Sequence, residues 1–200
     1  AAQVINATVL WAQNYRGENI RIAILDTGIN LNHDDFAGKI IATKSFVRQE
    51  YGYFSEELTI DDLEGHGSHV AGIAAGAGII NSDYIGIAPG AKLIIAKVAG
   101  EAGFATLLGI IEAFNWAASE GAEIINLSFG GQDYPVISPL QETIEAIVEG
   151  GIIVTISAGN YGHEGSYTIS TPGSEAAAIT VGACSYDQII APFSLSLIHI

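Results

Sequence analysis

Ile20-Arg21-Ile22-Ala23-Ile24-Leu25-Asp26-Thr27-Gly28 is the stretch on which the fold turns. Its apolar residues run almost without a break and stop abruptly at Asp-Thr-Gly. A strand with one wet face alternates apolar and polar residues, whereas a strand covered on both faces does not. The stretch therefore predicts an inner strand of a parallel sheet. Residues 93–98, 123–128, 152–157 and 178–182 share its character. Between these runs, residues 69–76, 106–119 and 139–149 have helical composition. In the second, Leu107, Ile110, Ile111, Phe114 and Ala118 recur at three- and four-residue steps, giving one apolar stripe to lay on a sheet. Gly121 and Gly150-Gly151 follow the last two helices, where helices commonly end. Strand–helix alternation with right-handed crossovers predicts an α/β, doubly wound, mainly parallel sheet with helices on both faces. Residues 49–63 are polar, aromatic and poorly periodic, and read as an excursion. No repeat or linker interrupts the chain, so residues 1–194 are expected to form one domain.

With 22 acidic against 7 basic residues, the net charge is −15. That balance excludes nucleic acid and anionic membranes as partners, because no basic patch is available to neutralise phosphates. No apolar run is long enough to cross a bilayer. The single Cys184 leaves no intrachain disulfide. Methionine is absent, even at position 1. Ala1 is therefore expected to be a processed terminus or a fragment edge, with any signal peptide already gone.

In open parallel sheets, ligands bind beyond the carboxyl ends of the strands. Asp26, Gly130 and Asn160 fall just past three of the predicted strands, and His66 opens the helix after the excursion. Asp26-Thr27-Gly28 alone reads as an Asp turn, with glycine supplying an unusual backbone angle. It is also the aspartic protease motif, but those proteins are all-β and bring two such aspartates together. His66 and His69 could present two ligands to zinc from one helix face. A third ligand at characteristic spacing is missing and no Glu lies between them, so no metal site is assigned. His69 reads as a structural helix residue, while Gly65 and Gly67 leave the His66 ring accessible. Asn160 is either a strand-end turn residue or an amide donor to a developing oxyanion. Asn126-Leu127-Ser128-Phe129-Gly130-Gly131 runs a strand into two glycines, which suits either a plain turn or the close approach of an extended peptide.

Taken in order, these pieces resemble the subtilisin-like serine protease family (peptidase S8). The resemblance rests on Ile22-Ala23-Ile24-Leu25-Asp26-Thr27-Gly28-Ile29, on Gly65-His66-Gly67-Ser68-His69-Val70-Ala71-Gly72 and on Ile87-Ala88-Pro89-Gly90-Ala91. Ile125-Asn126-Leu127-Ser128-Phe129-Gly130-Gly131 and Ser157-Ala158-Gly159-Asn160 complete it. It implies that Asp26 fixes the tautomer of His66, that His66 is the general base and then general acid, and that Asn160 stabilises the oxyanion. It also implies that Ser128, Phe129 and Gly130 pair with substrate backbone and border the P1 pocket. Residues 100–103 resemble the family's opposite substrate-binding strand in a shortened form.

The family's nucleophile motif, Gly-Thr-Ser, is missing. None of Ser166, Ser170, Ser174, Ser185, Ser194 and Ser196 lies in that setting. The resemblance continues through Ala191-Pro192-Phe193-Ser194 and then stops. Leu195-Ser196-Leu197-Ile198-His199-Ile200 matches a translation of CTG TCT CTT ATA CAC ATC, a transposon-end sequencing adapter. Residues 195–200 are thus expected to be a non-native tail on a domain truncated at its C-terminus.

The expectation is a secreted serine endopeptidase whose serine lies outside this chain, the fragment itself being inactive. The alternative is a catalytically inactive subtilisin-like domain used for binding or as a scaffold. The resemblance further implies a polypeptide substrate, an inhibitory propeptide in the parent protein and no cofactor for catalysis. A structural Ca2+ is common in the family, but residues 78–86 offer only Asn81 and Asp83 as oxygen donors. Asp61-Asp62, before the His segment, could supply ligands, but the preferred reading is a solvated turn.

Overall fold

The structure is a computed structural model that describes residues 2–47, 59–131, 139–165, 168–187 and 189–194. The chain groups into two compact units, residues 1–125 and 126–200. Most of the 49–63 excursion, Ser166, Ser196 and the tail at 195–200 lie outside the described residues.

In the first unit, β1 (Arg21–Asp26) and β3 (Lys92–Lys97) run parallel, paired from Arg21↔Lys92 to Asp26↔Lys97. β2 (Ile40–Ser45) adds to the far side of β3, with a register irregularity between Ile40 and Ala42. The start of β4 (Ile124–Leu127) takes the other side of β1, where Glu123 N–H donates to the Arg21 carbonyl. As the unbroken apolar runs demand, Ala23, Ile24 and Leu25 and their partners Ile94, Ile95 and Ala96 are wholly buried.

Alternate residues of a strand face opposite sides. One face, with Ile22, Ile24, Leu93 and Ile95, packs on Ala71 and Ala75 of α2 (His66–Ala75). The other carries Ala23, Leu25, Ile94 and Ala96. α3 (Leu107–Ser119) also lies against β1 and β3, burying Ile110, Ala113, Phe114 and Ala117. Each fully buried Ile or Leu contributes roughly 1.5–3 kcal/mol. Thr106 caps α3, its hydroxyl accepting Gly109 N–H at 3.0 Å.

The second unit holds the end of β4, then α4 (Pro139–Glu149), β5 (Ile153–Ser157) and β6 (Ile179–Val181). Proline at the first helical position suits α4, because its missing N–H would have no helical partner there. The helix buries Leu140, Ile144 and Ile147 and packs on β5. β5 and β6 are parallel, paired from Thr155↔Ile179 to Ser157↔Val181.

The expected α/β architecture is therefore the observed one, and five of the six strands lie within a residue or two of their predicted places. Two elements were not anticipated: β2 and a short helix, α1 (Ala7–Trp11). β2 is an edge strand with partly wet faces, so it lacks the apolar run that marks the inner ones. α2 begins at His66, the residue expected to open it, although helical composition marked only 69–76, because the first turn carries glycine and polar residues rather than an apolar stripe.

Candidate active site

β1 delivers Asp26 to its own carboxyl end, where the side chain is almost completely buried. α2 delivers His66 as its first residue. Two glycines make the meeting possible. A Cβ at Gly67 would sit 2.3 Å from the Gly28 carbonyl and 3.2 Å from the Asp26 Cβ. Gly28 has φ +116°, and a Cβ there would meet the Ile60 carbonyl at 2.4 Å. Only residues without side chains let the helix start and the Asp turn touch.

The result is a bond of 2.6 Å between His66 Nδ1 and Asp26 Oδ1. Asp26 Oδ1 also accepts Thr27 N–H at 2.8 Å. Among the described residues, Asp26 Oδ2 is buried without a hydrogen-bond partner. Burial raises the Asp26 carboxyl above the usual carboxylate range, although His66 and Thr27 N–H pull it down. For His66, partial burial pulls the pKa down, but the hydrogen bond and charge of Asp26 outweigh it. The net effect is a value above that of an ordinary histidine. Its side chain is 45% exposed. With Nδ1–H donated to Asp26, the neutral ring keeps its Nε2 lone pair free to accept a proton. A buried carboxylate behind a half-open imidazole is the arrangement of a general base.

Around this pair the loop before α2 is braced. Thr27 Oγ1 donates to Asp62 Oδ1 at 2.7 Å and accepts Gly67 N–H at 2.9 Å. Lys97, buried at the end of β3, donates from Nζ to the Asp61 carbonyl at 2.6 Å. Asp62 corrects the reading of Asp61-Asp62 as a solvated turn. Its carboxylate is half-buried and accepts Gly65 N–H and Ser68 N–H as well. Sequence reasoning missed Asp62 because paired aspartates in a polar stretch give no hydrophobic signal. Its spacing of three before a glycine that opens a helix was the available clue.

In the second unit, three segments converge. Gly131 and Thr171 exchange backbone hydrogen bonds of 3.0 Å in an antiparallel bridge, and Ser170 N–H donates to the Ala158 carbonyl. Ser128 Oγ accepts from Asn126 Nδ2 at 2.9 Å, and Asn126 Oδ1 accepts from Thr155 Oγ1 at 3.0 Å. Phe129 is half-buried, whereas Gly130 and Asn160 are exposed. Gly159, just before Asn160, has φ +89°, and a Cβ there would sit 1.9 Å from Ser170 Oγ. That hydroxyl is buried and, among the described residues, has no partner.

Other motif residues serve the chain's own structure. His69 is exposed on α2 and lines a cavity of about 480 Å³ with His33, Phe36, Ile73 and Tyr84. Asn81 Oδ1 accepts Asp83 N–H, and Asp35 Oδ1 accepts Ile79 N–H at 2.6 Å. These oxygens in and beside residues 78–86 accept hydrogen bonds from the chain's own backbone. Among the described residues, no group of three or more His, Cys, Asp or Glu could hold a metal ion. Residues 100–103 form a tight turn, closed by Gly103 N–H to the Gly100 carbonyl, beside an antiparallel Ala99↔Ala105 bridge.

The subtilase family model, Peptidase_S8, matches residues 17–200, and the chain belongs to that family. It is 37% identical over 196 residues to the major intracellular serine protease of Bacillus subtilis, covering 96% of this chain and 59% of that protein. It is 34% identical over 192 residues to subtilisin DY of Bacillus licheniformis, covering 96% of this chain and 66% of that protein. Against the minor extracellular protease Vpr of B. subtilis, the identity is 32% over 187 residues, or 92% of this chain and 23% of that protein. The chain thus spans less than two thirds of the length of these relatives. Their names include both intracellular and extracellular proteases, so family membership does not fix the secreted location that the motifs suggest.

Proposed function

We propose that the whole protein is a serine endopeptidase that hydrolyses peptide bonds, with its nucleophilic serine contributed from outside these 200 residues. The observation that carries this reading is the 2.6 Å bond from the half-exposed His66 ring to the buried Asp26. Asp26 holds the ring in the Nδ1–H tautomer and stabilises the imidazolium that forms. Nε2 takes the serine proton as the hydroxyl attacks the peptide carbonyl, then gives it to the leaving amine. Water repeats the cycle on the acyl-enzyme. Asn160 is assigned to the oxyanion through the family motif, its amide donating as negative charge develops. Ser128, Phe129 and Gly130 are assigned to the backbone of an extended polypeptide substrate.

The test is casein hydrolysis and fluorophosphonate labelling of the protein expressed from its complete reading frame. Both are expected, and His66→Ala is expected to lower hydrolysis by about 10²- to 10⁴-fold, the usual worth of a general base. The 200-residue chain alone should take no label. A full-length protein that folds, binds polypeptides and neither labels nor hydrolyses would establish the inactive scaffold instead. Cell fractionation decides between the two compartments that the relatives' names allow.

A further inference from the structure

The N-terminal turn of α2 has an unusual problem. Its N-cap, Gly65, has no side chain with which to satisfy the free N–H groups at the helix start. The structure solves this from outside the helix. Gly65 N–H donates to Asp62 Oδ1 at 2.8 Å, and Ser68 N–H to Asp62 Oδ2 at 2.7 Å. Gly67 N–H donates to Thr27 Oγ1, whose own proton goes to Asp62 Oδ1. Only His66 N–H goes elsewhere, to Glu64 Oε2 at 2.8 Å. Three of these four donors therefore lead to one carboxylate, directly or through one hydroxyl. Thr27 is also the residue whose N–H holds Asp26 Oδ1.

We propose that Asp62 is a positioning residue: its carboxylate locks the first turn of α2 onto the Asp26–Thr27 turn and so sets the geometry of the Asp26–His66 pair. This rests on reading that pair as the general base. Neither partner of the 2.6 Å bond could set the distance alone. Asp26 is fixed by β1 and His66 by α2, and Asp62 is bonded to both elements through Thr27 on one side and Gly65 and Ser68 on the other. Negative charge at a helix N-terminus is also favourable, so the brace stabilises the turn that it holds. These hydrogen bonds hold the Asp62 carboxyl below its usual range even though partial burial opposes them. It is therefore ionised wherever His66 is neutral. The carboxylates bearing on the His66 ring are Asp26, Glu64 and Asp62, while the Lys97 ammonium grips the same loop from behind at the Asp61 carbonyl.

The test is NMR of the His66 ring in the whole protein, following the Nδ1 proton and the titration of the ring. In Asp62→Asn, hydrogen exchange of the Nδ1 proton should rise by about tenfold or more, the loss of one charge-assisted hydrogen bond. The ring titration should move to lower pH. Asp62→Glu should restore the titration but not the proton's protection, separating charge from placement. Asp61→Asn, whose exposed side chain accepts only from the Thr59 hydroxyl among the described residues, should change neither. A folded Asp62→Asn chain with both readouts as in the parent overturns the inference. If that variant does not fold, Thr27→Val cuts the bridge while leaving both helix contacts to Asp62. An unchanged Nδ1 proton there overturns it equally. If the readouts move as stated but the whole protein hydrolyses nothing, the endopeptidase reading fails and the role of Asp62 stands.

Discussion

Asp26 and His66 in the first unit are held by carboxylates and a hydroxyl over the close approach of Gly67 to Gly28, whereas the Ser128–Gly131 and Asn160 region of the second is placed by backbone bridges, the neutral Asn126 and Thr155 side chains and the close approach of Gly159 to Ser170. The first arrangement is charged and sensitive to protons. The second is neutral and sensitive to shape. A base must have its proton affinity tuned, which calls for nearby carboxylates. On the proposed reading, the second region receives an extended chain and must keep its own backbone exposed at a fixed spacing, which calls for missing Cβ atoms. The two regions should therefore fail in different ways.

The largest effect expected is from Gly67→Val. A Cβ cannot enter 2.3 Å from the Gly28 carbonyl, so α2 must leave the Asp turn. We expect a loss of at least about 3 kcal/mol in urea unfolding, together with loss of the Asp26–His66 bond in NMR. Full stability in this variant would mean that the close approach is dispensable. Gly159→Ala probes the second region, where the residue combines φ +89° with a 1.9 Å clash on Ser170 Oγ. It should cost about 1–3 kcal/mol, and Ser170→Gly in the same chain should recover part of that cost. If the double variant is no better than the single, the positive φ alone is responsible.

A pH series sharpens the same contrast. His66 has a raised folded pKa, so its contribution to stability is complete below its unfolded value of about 6.5. That contribution fades as pH rises through the raised folded value. Asp26, also raised, acts in the same direction at lower pH, costing stability as it ionises. The stability of the parent relative to His66→Gln should thus be greatest on the acid side and shrink towards alkali. Gly159→Ala should run parallel to the parent at every pH, and a crossing of those curves would refute the division into charged and neutral regions. The smallest effect is expected from Ser170→Ala, which removes a buried hydroxyl that has no partner among the described residues. Stability should be unchanged or should rise by up to about 1 kcal/mol in thermal unfolding.

What the sequence disclosed follows from the same physics. Strands buried on both faces write themselves as unbroken apolar runs, so the 20–25 run was legible as β1 and the 93–98 run as β3, each within a residue. β2 was not, because Ile40-Ile41-Ala42-Thr43-Lys44-Ser45 is an edge strand with exposed side chains. Asp26 and His66 were legible as a pair because their flanking glycines and order are distinctive. Asp62 was not, since its importance lies in three hydrogen bonds from the backbone and one hydroxyl that no composition rule reports. Ser170 was read only as a serine in the wrong setting for a nucleophile. Its place against Gly159 depends on a tertiary contact.

Lys97 carries one more consequence. Its ammonium is buried, and it reaches the loop before His66 through the carbonyl of Asp61 rather than through the carboxylate. Every residue type has that carbonyl. This bond therefore asks nothing of the side chain at position 61, only that its backbone stay in place. Position 97 has no such liberty, because a shorter or uncharged side chain would leave the carbonyl unanswered. The two ends of this hydrogen bond thus make opposite demands on the side chains that stand there.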